Sequence, residues 1–132
     1  MKLFFLFFFV SSLIILPLQA DEIFITASAN IYSDDVEDAK RRALKNAQLK
    51  AVKKGVELFL VKKYIKKNYQ VITEQIYNFN QDFISNFDVV DLDIDFYQRY
   101  VKVKIKANVA EIKIKNKLKK LGILHDGMDN WS

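Results

Sequence analysis

"DLDIDFYQRYVKVKIK", residues 91–106, places three aspartates on alternate positions, then a short polar knee, then three lysines on alternate positions. Alternation with period two is the pattern of half-buried strands. With a turn at Gln98 and Arg99, Phe96 faces Val101, Ile94 faces Val103, Leu92 faces Ile105 and Val90 faces Ala107. On the other face Asp95 meets Lys102, Asp93 meets Lys104 and Asp91 meets Lys106. A single register satisfies both faces, whereas a slip of one residue would turn charges into the core. The stretch therefore reads as a β-hairpin with a cross-strand charge ladder. Gln-Arg is weak two-residue turn chemistry, so a four-residue loop from Tyr97 to Tyr100 is the other turn that fits.

Asp-x-Asp-x-Asp is also how a calcium-binding EF-hand loop opens, but that loop needs glycine at its sixth position and glutamate at its twelfth. Phe96 and Lys102 stand there, so no metal is expected.

Upstream, "EIFITASANIYS" alternates as well. Ile23, Ile25, Ala27, Ala29 and Ile31 share one face, which makes a first strand. A long helix is expected next, with Asp34 as cap and Glu37 three residues on. Along it Ala39, Ala43, Ala47, Ala51 and Gly55 recur every fourth residue. Such a ridge of minimal side chains lets a helix backbone lie close to a sheet. Beyond it Val52, Val56, Leu58, Phe59, Leu60, Val61, Tyr64 and Ile65 spread around the helix. A helix apolar on most sides is buried on most sides, which points to a partner. Val56, Phe59 and Leu60 lie beside the ridge and form the candidate interaction surface; the alternative is that they pack under a second helix. That second, shorter helix carries Ile72, Ile76, Phe79 and Phe83 on one face. After Val109 helical spacing returns at Ile114, Leu118 and Leu121, among five lysines, and Gly122 ends it.

The fold class expected is α+β: a small antiparallel-type sheet of about three strands in the order β-α-α-β-β-α, with a long and a short helix on one face. The expected core includes Ile25, Ala27, Ala43, Ala47, Ile76, Phe83, Leu92, Ile94, Val103 and Ile105. The domain spans 21–123, and 124–132 is expected to be a loose tail.

Residues 1–20 read as a signal peptide: Lys2, an uncharged run from Leu3 to Leu16, then Pro17 and a small residue. Cleavage is expected between Ala20 and Asp21, with retention as a membrane anchor as the other outcome. Without Lys2 the chain holds 20 basic residues against 16 acidic ones, about +4. Export argues against nucleic acid as the partner of that charge. Cysteine is absent, which excludes disulfides, a thiol nucleophile, a cysteine–zinc site and a lipidated N-terminal cysteine.

"ITASANIY", "DAKRRALKNAQLKAVKKGVELFL", "NYQVITEQIYNFNQDFISNFDVVD", "YVKVKIKANV" and "LKKLGI", in that order, resemble the N-terminal domain of flagellar assembly protein T, a family related to envelope lipoproteins. The resemblance runs from Ile25 to Ile123. Ala29 stands where the family usually has glycine, while Phe83-Ile84-Ser85 fits its second-helix pattern. The family's middle and C-terminal domains have no counterpart in these residues. What the resemblance implies is the fold and an envelope location, without catalysis.

No nucleophile, acid–base pair or ligand constellation assembles from the sequence, and the one histidine, His125, falls in the expected tail. The expected function is thus non-enzymatic and free of cofactors: a periplasmic structural, assembly or protein-interaction module of the flagellar basal body or another envelope machine. Its partners would be envelope proteins or further copies of itself, at the outer membrane or basal body. The alternative is a free periplasmic module binding a small ligand or a peptide.

Overall fold

The computed structural model describes residues 22–125. The fold is α+β. Strand β1 (Glu22–Asn30) leads to helix α1 (Val36–Glu57), then to the short helices α2 (Lys62–Lys67) and α3 (Tyr69–Gln75). A 3-10 segment (Tyr77–Phe83) enters β2 (Ile84–Asp95), β3 (Tyr100–Val109) follows, and α4 (Glu111–Lys120) is the last helix among the described residues. The antiparallel sheet has the order β1-β3-β2, so the last strand lies in the middle.

Alternation along β3 sets the core. Val101, Val103, Ile105, Ala107 and Val109 are buried, and the lysines between the first three point away. Opposite them on β1 stand Ala29, Ala27, Ile25 and Ile23. The alanine ridge of α1 lies on this face, with all four alanines fully buried. At Gly55 the approach is closest: a Cβ there would sit 2.6 Å from Ile114 Cδ1 and 2.9 Å from Val109 Cγ1. Lys45, on the opposite side of α1, is exposed.

The hairpin forms, but two residues out of the expected register. Ile94 faces Val101, Leu92 faces Val103, Asp93 faces Lys102, Asp91 faces Lys104 and Asp88 faces Lys106. The cause is the turn, which takes four residues, Phe96 to Arg99, one earlier than the Tyr97–Tyr100 alternative. Asp95 Oδ1 accepts from Gln98 N–H at 2.8 Å, Arg99 takes a left-handed φ of 59°, and its guanidinium pairs with Asp34 at 3.0 Å. Irregularities at Ser85 and Val90 shift the register further along. A two-residue displacement preserves side-chain parity, so Asp93 and Lys104 still point outward.

Other expectations need correction. Asp35, not Asp34, caps α1, accepting from Asp38 N–H at 3.0 Å. Asp34 and Ser33 are left-handed and turn the chain beforehand. The Asp38 carboxyl, hydrogen-bonded to Arg42 and paired with Arg41, is held below the usual carboxylate range, chiefly by the Arg42 bond. The long helix does not run on through Ile65. It stops at Leu58, and the chain bends so that Leu60 enters the core while Leu58 stays exposed. Four consecutive apolar residues cannot all reach one side of a straight helix, and the bend resolves that. Within the second helical stretch Ile72, Ile76 and Phe83 are buried, but the non-helical backbone at Phe79 turns its ring to solvent. Leu92, expected in the core, is exposed, and Ala27 and Ile94 are only partly buried.

The expected tail also begins too early. Gly122, at φ 75°, donates to Lys119 O at 3.0 Å, and Ile123 N–H reaches Leu118 O at 3.0 Å. This is a Schellman motif, and its usual apolar contact is met because Leu118, Ile123 and Leu124 are all buried. Only glycine adopts this φ without strain, so Gly122→Ala is expected to cost ~1–2 kcal/mol in urea unfolding, although the added methyl meets no atom within 4 Å. Residues 126–132 lie outside the described residues, as do the expected signal peptide and its Ala20–Asp21 junction.

Tyr77 lies buried near the start of the 3-10 segment, edge-on to Tyr69 at 6.2 Å, with Lys53 Nζ 5.4 Å from its ring centre. Burial, then the charge of Glu57, pushes its phenol up to about 12. A raised phenol pKa means that the folded state holds the proton more tightly. Its stabilisation is complete below the ordinary tyrosine range, near pH 10, and is lost as pH rises toward 12. Tyr77→Phe should therefore flatten the loss of stability between roughly pH 10 and 12, measured by thermal melts across that range.

Candidate interaction surface

The two edges of the sheet are finished differently. On β1, three outward carbonyls are taken by side chains from α1. Arg42 donates to Asn30 O at 2.5 Å, Asn46 to Ser28 O at 3.0 Å and Lys50 to Thr26 O at 2.9 Å. Four helix residues advance about 6 Å and two strand residues about 6.7 Å. A basic or amide residue every fourth position on α1 thus keeps pace with every second carbonyl on β1. Those three carbonyls are closed to a further strand.

The β2 edge has no such cover. A helix is ~10 Å across and strands lie ~4.8 Å apart, so one helix covers about two strands. Helix α1 packs on β1 and β3, and only the beginning of β2 is met by the 3-10 segment. Phe87, Val89, Leu92 and Ile94 share the core-side face of β2, being paired with Ala107, Ile105, Val103 and Val101. Yet Phe87 remains 36% exposed, Val89 49% and Leu92 42%. Val90, in the bulge, is 46% exposed, and Phe96 and Tyr97 stand in water at the turn. Contiguous apolar surface of this kind marks an interaction site more often than scattered single residues do. At the head of the strand lies an open depression of about 450 Å³, lined by Gln48, Gln81, Ile84, Ser85, Asn86 and Phe87.

The outer face of β2 carries Asp88, Asp91 and Asp93 opposite Lys106, Lys104 and Lys102. Facing positions do not close into ion pairs: among the described residues the ion pairs lie elsewhere, in α1 and between Arg99 and Asp34. Lys104 leans toward β1 instead, its Nζ 5.3 Å from the Phe24 ring centre. The charge ladder is thus a matter of register, and its carboxylates stay open to solvent.

The residues singled out from the sequence fall elsewhere. Val56 is fully buried and Leu60 is 1% exposed; Phe59 is partly buried against the same core. Two of the three therefore have no surface to offer a partner, and packing within the domain is where they belong. His125 is exposed just past the last buried residue. Among the described residues no group of three or more histidines or carboxylates is placed to hold a metal ion, and no helix is long and apolar enough to cross a membrane. Two further depressions, of about 440 and 360 Å³, are open to solvent; the first is lined partly by Lys113, Lys117 and Lys120 of α4. One signal for the β2 surface was present in the sequence: a single alanine ridge serves one helix, and one helix is too narrow for three strands. No protein-family model matches the chain, and no curated protein matches it.

Proposed function

We propose that this protein is an exported, non-enzymatic interaction module that works by binding another protein in the cell envelope. The single observation that carries this reading is the half-exposed apolar face of β2, set beside an edge with no cover. The N-terminal signal pattern supports a periplasmic site of action. The resemblance to flagellar assembly protein T makes the flagellar basal body the first assembly in which to look, with other outer-membrane machines next. In this role the fold supplies a rigid sheet, and specificity comes from what the open strand admits.

The test combines fractionation with crosslinking. The full-length protein, tagged at its C-terminus, should be found in the periplasmic or outer-membrane fraction. After crosslinking in intact cells it should yield a discrete heterologous adduct. Purified protein that stays monomeric, yields no adduct and is stabilised by a small metabolite would favour the ligand-binding alternative instead.

A further inference from the structure

We infer that the open edge of β2 receives an extended segment of the partner as a fourth strand, one in which apolar residues alternate with lysine or arginine. This rests on the interaction reading above and names the chemistry of the partner. Adding a strand to a bare sheet edge is a recurrent mode of peptide capture: backbone hydrogen bonds supply affinity and alternate side chains supply selection.

The two faces of β2 each specify half of the guest. On the core side, Phe87, Val89 and Leu92 present half-exposed apolar surface beyond the reach of α1, and apolar guest residues would cover it. On the outer side, Asp88, Asp91 and Asp93 are flanked by lysines of β3 only on one side, and none of the three closes an ion pair among the described residues. Basic guest residues would complete that row from the other side, because opposite charges across neighbouring strands attract and like charges repel.

The same aspartates argue against a second copy as the occupant. Pairing two β2 strands antiparallel with Phe87 opposite Ile94 and Val89 opposite Leu92 keeps both apolar faces together, but sets Asp88 against Asp93 in each half. The carboxylates thus discourage self-pairing at an edge that natural sheets must protect while leaving it open to a basic strand. On the β1 edge Arg42, Asn46 and Lys50 already occupy three outward carbonyls, which favours β2 as the receiving side.

The probe is a synthetic nonapeptide of sequence VKVKIKANV, which repeats the apolar–basic alternation of β3, compared with VEVEIEANV. Binding to the full-length protein is followed by anisotropy of a labelled peptide, and its position by amide hydrogen exchange. The basic peptide should protect amides within residues 86–95 and bind at least about tenfold more tightly than the acidic one, a margin that three cross-strand charge pairs supply. Added salt should narrow the difference. The double reversal Asp91→Lys, Asp93→Lys should invert the preference. Val89→Lys, at a half-exposed position, should weaken both peptides while circular dichroism stays unchanged. Equal affinity for the two peptides, protection confined to α4, or β2 amides protected by the protein's own concentration would each overturn the inference, the last in favour of a second copy. If the aspartate reversal leaves the crosslinked envelope adduct intact while Val89→Lys abolishes it, the basic-strand inference fails while the interaction reading stands.

Discussion

The Leu60→Glu variant is expected to lose its folded state. Leu60 is 1% exposed and lies just past the end of α1, where the chain bends to bring it into the core. Glutamate there forfeits the burial of a large apolar side chain, worth about 2–5 kcal/mol when truncated. It also places a carboxylate in the same apolar core that holds Val52, Val56 and Ile72, all fully buried, where an unpaired charge costs several kcal/mol more. Since a domain of this size holds only about 5–15 kcal/mol in total, the sum suffices to unfold it. Far-ultraviolet circular dichroism and a urea titration would show this. A variant that stayed folded and only lost its partner would return Leu60 to the interaction surface, where the sequence pattern had placed it with Val56 and Phe59.

Gly55→Leu is expected to be the most damaging substitution along the α1 ridge. The added Cβ alone falls 2.6 Å from Ile114 and 2.9 Å from Val109. The end of the isoleucine side chain can swing aside, but a valine methyl on a buried strand has little freedom. The remaining three carbons of leucine would then push α1 off β3 and α4. Overpacking of this kind costs about 1–3 kcal/mol and sometimes more, and Gly55 belongs at the upper end because two elements obstruct it. Ala47→Leu should fall in the middle of that range and Lys45→Leu, on the exposed side, should be nearly silent. Equal losses at the three positions in urea unfolding would mean that the ridge is not the packing face.

Period and parity made much of this fold legible. Alternation along residues 100–109 and 22–30 predicted two strands and their buried faces, and the four-residue recurrence of alanine predicted the face of α1. Parity also survives an error: the turn lies one residue earlier than expected, which moves the register by two, and an even shift leaves Asp93 and Lys104 pointing outward. Polar contacts decide such a turn, here the hydrogen bond from Gln98 N–H to Asp95 and the ion pair of Arg99 with Asp34, and a local side-chain acceptor leaves no periodic trace. The bulge at Val90 is equally silent in sequence, since one unpaired residue looks like any other apolar neighbour.

The interaction surface was misplaced for a different reason. An excess of apolar residues at 56–65 looks like surface awaiting a partner as long as the helix is straight, but the chain bends at 58–61 and takes Leu60 inward. Conversely alternation puts Leu92 on the core side, but it shows only which side a residue faces and not whether anything lies above it. Cover is a tertiary property. It depends here on the width of one helix against three strands and on the central position of β3, and strand order is not written in either pattern.

The central claim is that β2, and not the exposed side of α1 or the basic helix α4, is where this protein meets its partner. A photo-crosslinking amino acid placed singly at Val89, Lys45 and Lys117 in the full-length protein, and irradiated in intact cells, tests it most directly. The expected result is a discrete heterologous adduct at Val89 and none at the other two sites. An adduct at Lys45 or Lys117 with none at Val89, or an adduct at Val89 that proves to be a second copy of the same chain, would contradict it.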